Sequence, residues 1–147
     1  MQDQPESASR TDEEVFSQPM FRAMREDPEG SGWPLVGRSG RTLGVRVDGS
    51  NRDIPVAEDG TVSPNTGGMS VALDKAVNLP KPRLPRALGG EGRDPVFRMY
   101  SEVLPETMLL RPDRYPHASV EPSKRSPLTD FVSALAGTRN DWSKVHD

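Results

Sequence analysis

His117 and Glu121 are the two residues whose types and spacing most directly suggest chemistry. They lie four positions apart in a predicted strand, so both side chains point to the same face of a sheet. A histidine in such a pair can hydrogen-bond a hydroxyl group, and a carboxylate can stabilise positive charge or accept a proton. The same spacing also fits a chance pair of exposed side chains, and the residues alone leave both interpretations open.

Several kinds of site are excluded by residue type. The chain has no cysteine, which rules out disulfides, thiolate metal sites and cysteine nucleophiles. With His117 and His146 as its only histidines, a zinc site would depend on carboxylates, and we expect no metal site. The phosphate-binding loop, the dinucleotide glycine fingerprint and the Gly-x-Ser-x-Gly elbow are all missing. A serine hydrolase would have to use His117 as its base.

Composition predicts one turn-rich domain that is neither a membrane protein nor a general nucleic-acid binder. The 147 residues include 13 glycines and 15 prolines, and no run of 18 apolar residues occurs. Residues 1–14 are acidic and lack apolar periodicity, which predicts a disordered leader. Residues 15–147 carry nearly balanced charge, whereas a nucleic-acid binder would have a basic surplus. The polar N-terminus shows no signal peptide, so we expect a cytoplasmic protein.

The elements that must position these residues are short. Alternating apolar and polar residues between Gly/Pro turns predict strands at residues 21–24, 43–47, 54–57, 69–73, 95–100, 108–112 and 118–122. Long loops are expected at residues 26–44 and 79–93, where glycine and proline are dense.

The last element has a different period. Its apolar residues recur at spacings of three and four, which predicts an amphipathic helix carrying Leu128, Phe131, Val132 and Leu135. Ser126 fits the N-cap, Pro127 the first helical position and Gly137 the position after the end. Short strands followed by one C-terminal helix predict an α+β domain.

Four features, in order along the chain, resemble a family of small bacterial cytotoxic effectors delivered by type VI secretion. They are Phe21-Arg22-Ala23; then Asp53-Ile54, Asp59-Gly60 and Pro64-x-Thr66-Gly67-Gly68-x-Ser70-Val71; then His117 with Pro122; and the closing helix at 128–135. The similarity covers residues 20–136. The fold of that family is related to ADP-ribosyltransferases. The resemblance therefore implies a single α+β domain with two small, curved, antiparallel-rich sheets around an NAD-sized cleft and a C-terminal helix.

The resemblance also implies an NAD-dependent enzyme and its site residues. The implied catalytic residues are Arg22, Ser70, His117 and Glu121, and the implied NAD-binding residues are Arg22, Arg46, Gly68, Ser70 and His117. A strand arginine can fork a phosphate or ribose. A serine that follows a glycine pair can orient a ribose or carboxamide. We expect Arg22, Ser70 and His117 to converge in one pocket, with Arg46 and Glu121 at its edge.

Each assignment has a simpler alternative. Arg22 also fits an exposed residue on an edge strand, and Ser70 also fits a turn serine. Arg52 competes with Arg46 as the mid-chain arginine of the family. Three arginines flanking the loop at 79–93 either cover the site, contact a target or belong to a solvated loop; they are Arg83, Arg86 and Arg93.

The toxin interpretation predicts partners and location. It implies a cognate immunity protein, an acceptor molecule that the sequence does not identify, export without a cleavable signal peptide, and action in the cytoplasm of the target cell. Alanine at Arg22, Ser70 or His117 should abolish toxicity while the melting temperature changes little. A non-catalytic interaction protein of the same fold, and an immunity or adaptor protein, are the alternative functions.

Overall fold

The structure is a computed structural model that describes residues 17–30 and 32–147. The predicted leader at 1–14 lies outside these residues. The described part contains one α-helix, α1, at Leu128–Ala136. Its strands are β1 Pro19–Ala23, β2 Thr61–Val62, β3 Met69–Leu73, β4 Val96–Tyr100, β5 Met108–Arg114, β6 His117–Pro122, β7 Ser126–Pro127 and β8 Ser143–His146.

The strands form two antiparallel sheets of unequal size. Six strands make the main sheet in the order β5-β6-β3-β1-β4-β8. The small sheet pairs β2 with β7, immediately before α1. The predicted α+β class, with two antiparallel sheets and a C-terminal helix, is confirmed.

Strand alternation sends apolar side chains to both faces of the main sheet. The larger core cluster lies on the face that carries Met20 and Val71, and it includes Phe131 and Leu135 of α1. A smaller cluster on the other face contains Phe21 and residues of the segment 79–93. Burial of each large apolar side chain contributes about 2 kcal/mol, so both faces contribute to holding β1 in the middle of the sheet.

The helix begins differently from the prediction. Its N-cap is Pro127, because Ser126 pairs with Val62 in the small sheet and its hydroxyl donates to the Lys124 carbonyl. The predicted Ser126 N-cap is therefore wrong, whereas Gly137 does follow the last helical residue. No helix within residues 17–30 and 32–147 is long and apolar enough to cross a membrane.

Two predicted strands, at 43–47 and 54–57, are extended or turn segments instead. Leu43, Val45 and Ile54 are buried, and the backbone of Leu43 bonds to a loop, with Leu43 N donating to Leu35 O. Their alternation therefore reflects burial without a strand partner. β8 was not predicted, because Val145 is its one apolar residue and four residues with one apolar side chain show no alternation; it pairs with β4 across a register shift.

Candidate functional site

A cavity of about 210 Å³ lies between the end of β1 and the start of β3. The pairing of these strands ends at Phe21 and Ala72, and Arg22 and Ser70 line the cavity just beyond that point. Four of the predicted site residues come together in its lining: Arg22, Arg46, Ser70 and His117.

A second recess of about 450 Å³ adjoins this cavity. Gly68 and Arg52 line the second recess, whereas Arg46, Ser70 and His117 line both spaces. Pockets for small ligands measure about 300–1,000 Å³, so the two recesses together offer room on the scale of a nucleotide.

Arg22 holds the floor of the cavity. Strand β1 lies between β3 and β4, and the arginine is only 6% exposed, so the alternative of an exposed edge-strand arginine is wrong. Its Nη1 donates to the Ser70 carbonyl at 2.7 Å, and its Nε and Nη2 donate to the Thr42 carbonyl at 3.1 and 2.9 Å. Nη2 also donates to the carbonyls of Ser39 and Gly44. The guanidinium therefore ties β1 to β3 and to the loop before residue 45.

The charge around Arg22 is unbalanced. Burial lowers its pKa to about 10; Asp53 acts in the opposite direction, and Arg83 and Arg46 lower the pKa further. The described residues lining the cavity include the guanidinium groups of these three arginines and a single carboxylate, that of Asp53. A positive surplus in a partly enclosed space favours an anionic ligand.

Arg46 is held by Asp53 and retains an unused donor. Its backbone N–H donates to Oδ2 of Asp53 at 2.7 Å, and its Nη2 pairs with Oδ1 at 3.1 Å. The Nε–H of Arg46 is buried and has no hydrogen-bond partner among the described residues. A buried donor without a partner carries an energetic cost that a bound acceptor would remove.

Ser70 and His117 share one face of the main sheet. Ser70 pairs with Ser119, and Ala72 pairs with His117, so the alternation of β3 and β6 directs both side chains the same way. Ser70 is exposed and belongs to β3, so the turn-serine alternative is wrong. A Cβ on Gly68 would lie 2.2 Å from the Val120 carbonyl oxygen, so glycine there lets the chain enter β3 against β6.

His117 is oriented by Asp113, a residue that the sequence did not single out. Nδ1 of His117 lies 2.7 Å from Oδ1 of Asp113, and this hydrogen bond is the main cause that lowers the pKa of the Asp113 carboxyl. An ionised carboxylate can only accept, so Nδ1 donates to Asp113 and Nε2 is left for a ligand.

A comparison with known families identifies the family of this chain. The model of the Tse2 ADP-ribosyltransferase toxin family matches residues 20–142. The chain belongs to this family. No curated protein gave a significant match.

In this member of the Tse2 ADP-ribosyltransferase toxin family, Glu121 is apart from the cavity. It is 3% exposed, and it is absent from the described lining of both recesses. Its carboxylate accepts hydrogen bonds from Arg111 Nε, Ser119 Oγ and the Asn65 N–H, each at 2.8 Å. His117 and Glu121 share a face, as predicted, but four residues of strand separate them by about 13 Å. The catalytic role of Glu121 stays a prediction.

Asp53, Arg83 and Asp113 are cavity or rim residues that the sequence did not assign. Asp53 appeared as part of a motif, without a role, and Arg83 appeared as one of three loop arginines. The signal for Asp113 was its position four residues before His117, but the turn at Tyr115-Pro116 brings the two together in a way that the spacing does not reveal.

Proposed function

We propose that this toxin uses NAD as its substrate and acts inside the target cell. The bond between nicotinamide nitrogen and ribose C1 breaks, the bonding electrons leave with nicotinamide, and an acceptor nucleophile or water bonds to C1 and loses its proton to solvent. The observation that supports this proposal is one cavity that combines a surplus of guanidinium groups with Ser70 and His117.

The arginines suit the diphosphate of NAD. This group carries two negative charges, which match the surplus of the three lining guanidinium groups over the one lining carboxylate among the described residues. Arg22 is fixed by backbone carbonyls, and Arg46 has a buried Nε–H without a partner. Fixed charged donors of this kind bind phosphate oxygens strongly because they need little reorganisation on binding.

Ser70 and His117 suit the nicotinamide-ribose half. The exposed hydroxyl of Ser70 can donate to a ribose or carboxamide oxygen. His117, with Nδ1 bound to Asp113, presents Nε2 for a hydrogen bond with a ribose hydroxyl. Together they would hold the sugar in the conformation from which nicotinamide leaves.

The toxin proposal includes partners. A cell that makes this protein needs protection, and we expect a cognate immunity protein that occupies the cavity or its rim. The acceptor of ADP-ribose is a separate molecule of the target cell, or water if the toxin only hydrolyses NAD. We also expect export without a cleavable signal peptide and action in the cytoplasm of the target cell.

Nicotinamide release is the experiment that tests the proposal. The purified protein is incubated with NAD and a cell extract as the source of acceptors, and free nicotinamide is measured by chromatography. Turnover in the wild type and its loss in Ser70→Ala and His117→Ala support the proposal. Growth arrest on induction in a bacterium, without nicotinamide release, would favour a non-catalytic interaction protein, and protection from a toxin would favour an immunity or adaptor protein.

A further inference from the structure

The segment 79–93 is an ordered part of the cavity wall. Leu79 and Leu84 are buried in the smaller core cluster, which anchors the segment to the main sheet. Arg83 lies between these anchors, and its backbone N–H donates to the Pro80 carbonyl at 2.8 Å. Gly92 packs on the Arg83 backbone, where a Cβ would be 2.5 Å from the Arg83 carbonyl oxygen. The backbone of Arg83 is thus fixed on both sides.

The Arg83 side chain extends over Gly40. A Cβ built on Gly40 would lie 2.5 Å from Nη2 of Arg83 and 3.6 Å from Cζ of Arg46. The Cζ atoms of Arg83 and Arg46 therefore each lie 3.6 Å from the position that a side chain on Gly40 would occupy. The backbone of Gly40 is outside the left-handed region, so its conformation does not require glycine, and the missing side chain is what makes room for Arg83.

Among the residues that the structure describes, none pairs with the Arg83 guanidinium. It makes no ion pair and no side-chain hydrogen bond with the described residues, although two other arginines act on the same space. It lines the cavity on one side and, on the other side, a recess that contains both basic and acidic residues: Arg41, Arg93, Glu91 and Asp94. The like charges next to Arg83 are therefore those of Arg22 and Arg46 in the cavity. Like charges held close together are unfavourable until an anion lies between them.

We propose that Arg83, seated over Gly40, is the third arm of a diphosphate-binding site whose other arms are Arg22 and Arg46. This inference rests on the proposed function for the identity of the substrate, and it adds the residue pair that recognises the diphosphate. Gly40 leaves the space that the Arg83 guanidinium occupies, and that guanidinium contacts the diphosphate.

Binding of inorganic pyrophosphate and of ADP, measured by calorimetry, tests the inference without depending on turnover. The variants are Arg83→Gln, Gly40→Ala and the double variant. Arg86→Gln is the matched control in the same segment, because Arg86 is exposed and does not line the cavity. Gly137→Ala is the matched glycine control, because a Cβ there meets only carbonyl oxygens at 3.4 Å.

We expect Arg83→Gln to weaken both ligands by about tenfold or more, and Gly40→Ala to weaken them by pushing the same guanidinium aside. Because the two residues act through one group, the double variant should bind like Arg83→Gln alone. The controls should bind like the wild type, and all variants should keep the wild-type melting temperature within a few degrees.

Three results overturn the inference: no binding of either ligand by the wild type, wild-type affinity in Arg83→Gln, or an additive loss in the double variant. NAD turnover, measured alongside, separates the two proposals. If the wild type releases nicotinamide but Arg83→Gln binds pyrophosphate and ADP as tightly as the wild type, the inference is rejected and the proposed function is kept. Binding that depends on Arg83, in a protein that releases no nicotinamide, rejects the proposed function and keeps the inference.

Discussion

The cavity and the cluster around Glu121 are neighbours along β6, but they differ in whether their charged side chains have hydrogen-bond partners. At Glu121 one buried carboxylate accepts hydrogen bonds from three donors, including the guanidinium of Arg111. In the cavity the guanidinium of Arg22 is bound to carbonyl groups only, and Arg46 keeps a buried donor without a partner. The Glu121 carboxylate thus has its hydrogen-bond partners within the described residues, whereas the cavity contains a donor that none of these residues pairs with.

This difference separates a structural role from a binding role. A buried charge costs free energy unless it is paired, and the Glu121 cluster meets that requirement without a ligand. The cavity does not, because its lining arginines outnumber Asp53 within the described residues. We therefore infer that incomplete pairing, more than residue type, distinguishes the proposed substrate-binding cavity from the cluster around Glu121.

Arg22→Ala should have the largest effect, because it removes a cavity cation that also organises the wall. Four carbonyl groups would lose their donor, so we expect the free energy of unfolding to fall by about 3 kcal/mol and pyrophosphate binding to be lost. This differs from the sequence-based expectation of an unchanged melting temperature at this position. Chemical denaturation and calorimetry measure both effects. Arg25→Ala, which changes an exposed neighbour, is the control. Equal stability of the two variants would contradict a stabilising role for the hydrogen bonds from Arg22 to the four carbonyl groups.

Ser70→Ala and His117→Ala should affect turnover alone. Ser70 is exposed, and the side chain of His117 is 44% exposed, so truncation leaves no large hole in the core. We expect NAD turnover to fall by about 10²–10⁴-fold, with a change in the free energy of unfolding below about 1 kcal/mol. Nicotinamide release and thermal melting measure the two quantities. Losses of stability that parallel the losses of turnover would place both residues with the structural cluster.

Glu121→Gln tests the other side of the comparison. Glutamine keeps the shape but weakens the pairing with Arg111, so we expect the free energy of unfolding to fall by about 1–2 kcal/mol and turnover to change by less than about tenfold. Ser123→Ala, two residues further along the chain, is a control, since its hydroxyl donates to the exposed Glu106 carbonyl. A loss of turnover by orders of magnitude in a protein of wild-type stability would instead establish Glu121 as the catalytic carboxylate.

Asp113→Asn should have the smallest effect, and that effect should depend on pH. The hydrogen bond from His117 holds the pKa of Asp113 below its ordinary value of 3.8. Its ionised form therefore stabilises the fold above that value, and the contribution is lost as the pH falls through the lower, folded-state pKa. The stability difference between wild type and Asp113→Asn should be present at neutral pH and shrink below 3.8. A difference that grows on acidification would exclude this hydrogen bond as its cause.

Much of the fold could be predicted from local pattern. The strands near 69–73, 95–100, 108–112 and 118–122 and the C-terminal helix are where periodicity placed them. The errors came from segments whose backbones do not form the regular hydrogen bonds of a β-ladder. Residues 43–47 alternate because Leu43 and Val45 are buried, and alternation reports burial without reporting the strand that would have to lie alongside.

The site could be predicted only in part. Arg22, Arg46, Ser70 and His117 were named from the resemblance, and the structure brings them to one cavity, while their roles remain predictions. Arg83 was predicted from the sequence only as one of three loop arginines that either cover the site, contact a target or belong to a solvated loop. Its place over Gly40 depends on the burial of Leu79 and Leu84, which local sequence does not specify.

The sequence by itself determined the class of the domain, its turn-rich character, its C-terminal helix and the residue types available for chemistry. These follow from composition and from periods of two and 3.6 residues, which are local properties of the chain. Only the tertiary structure decided which charges are paired. Asp53 pairs with Arg46 and Arg111 with Glu121, whereas Arg83 is left without a partner in the described chain. Ion pairing depends on distances of a few ångströms, and the folded backbone sets these distances even for residues only seven or ten positions apart.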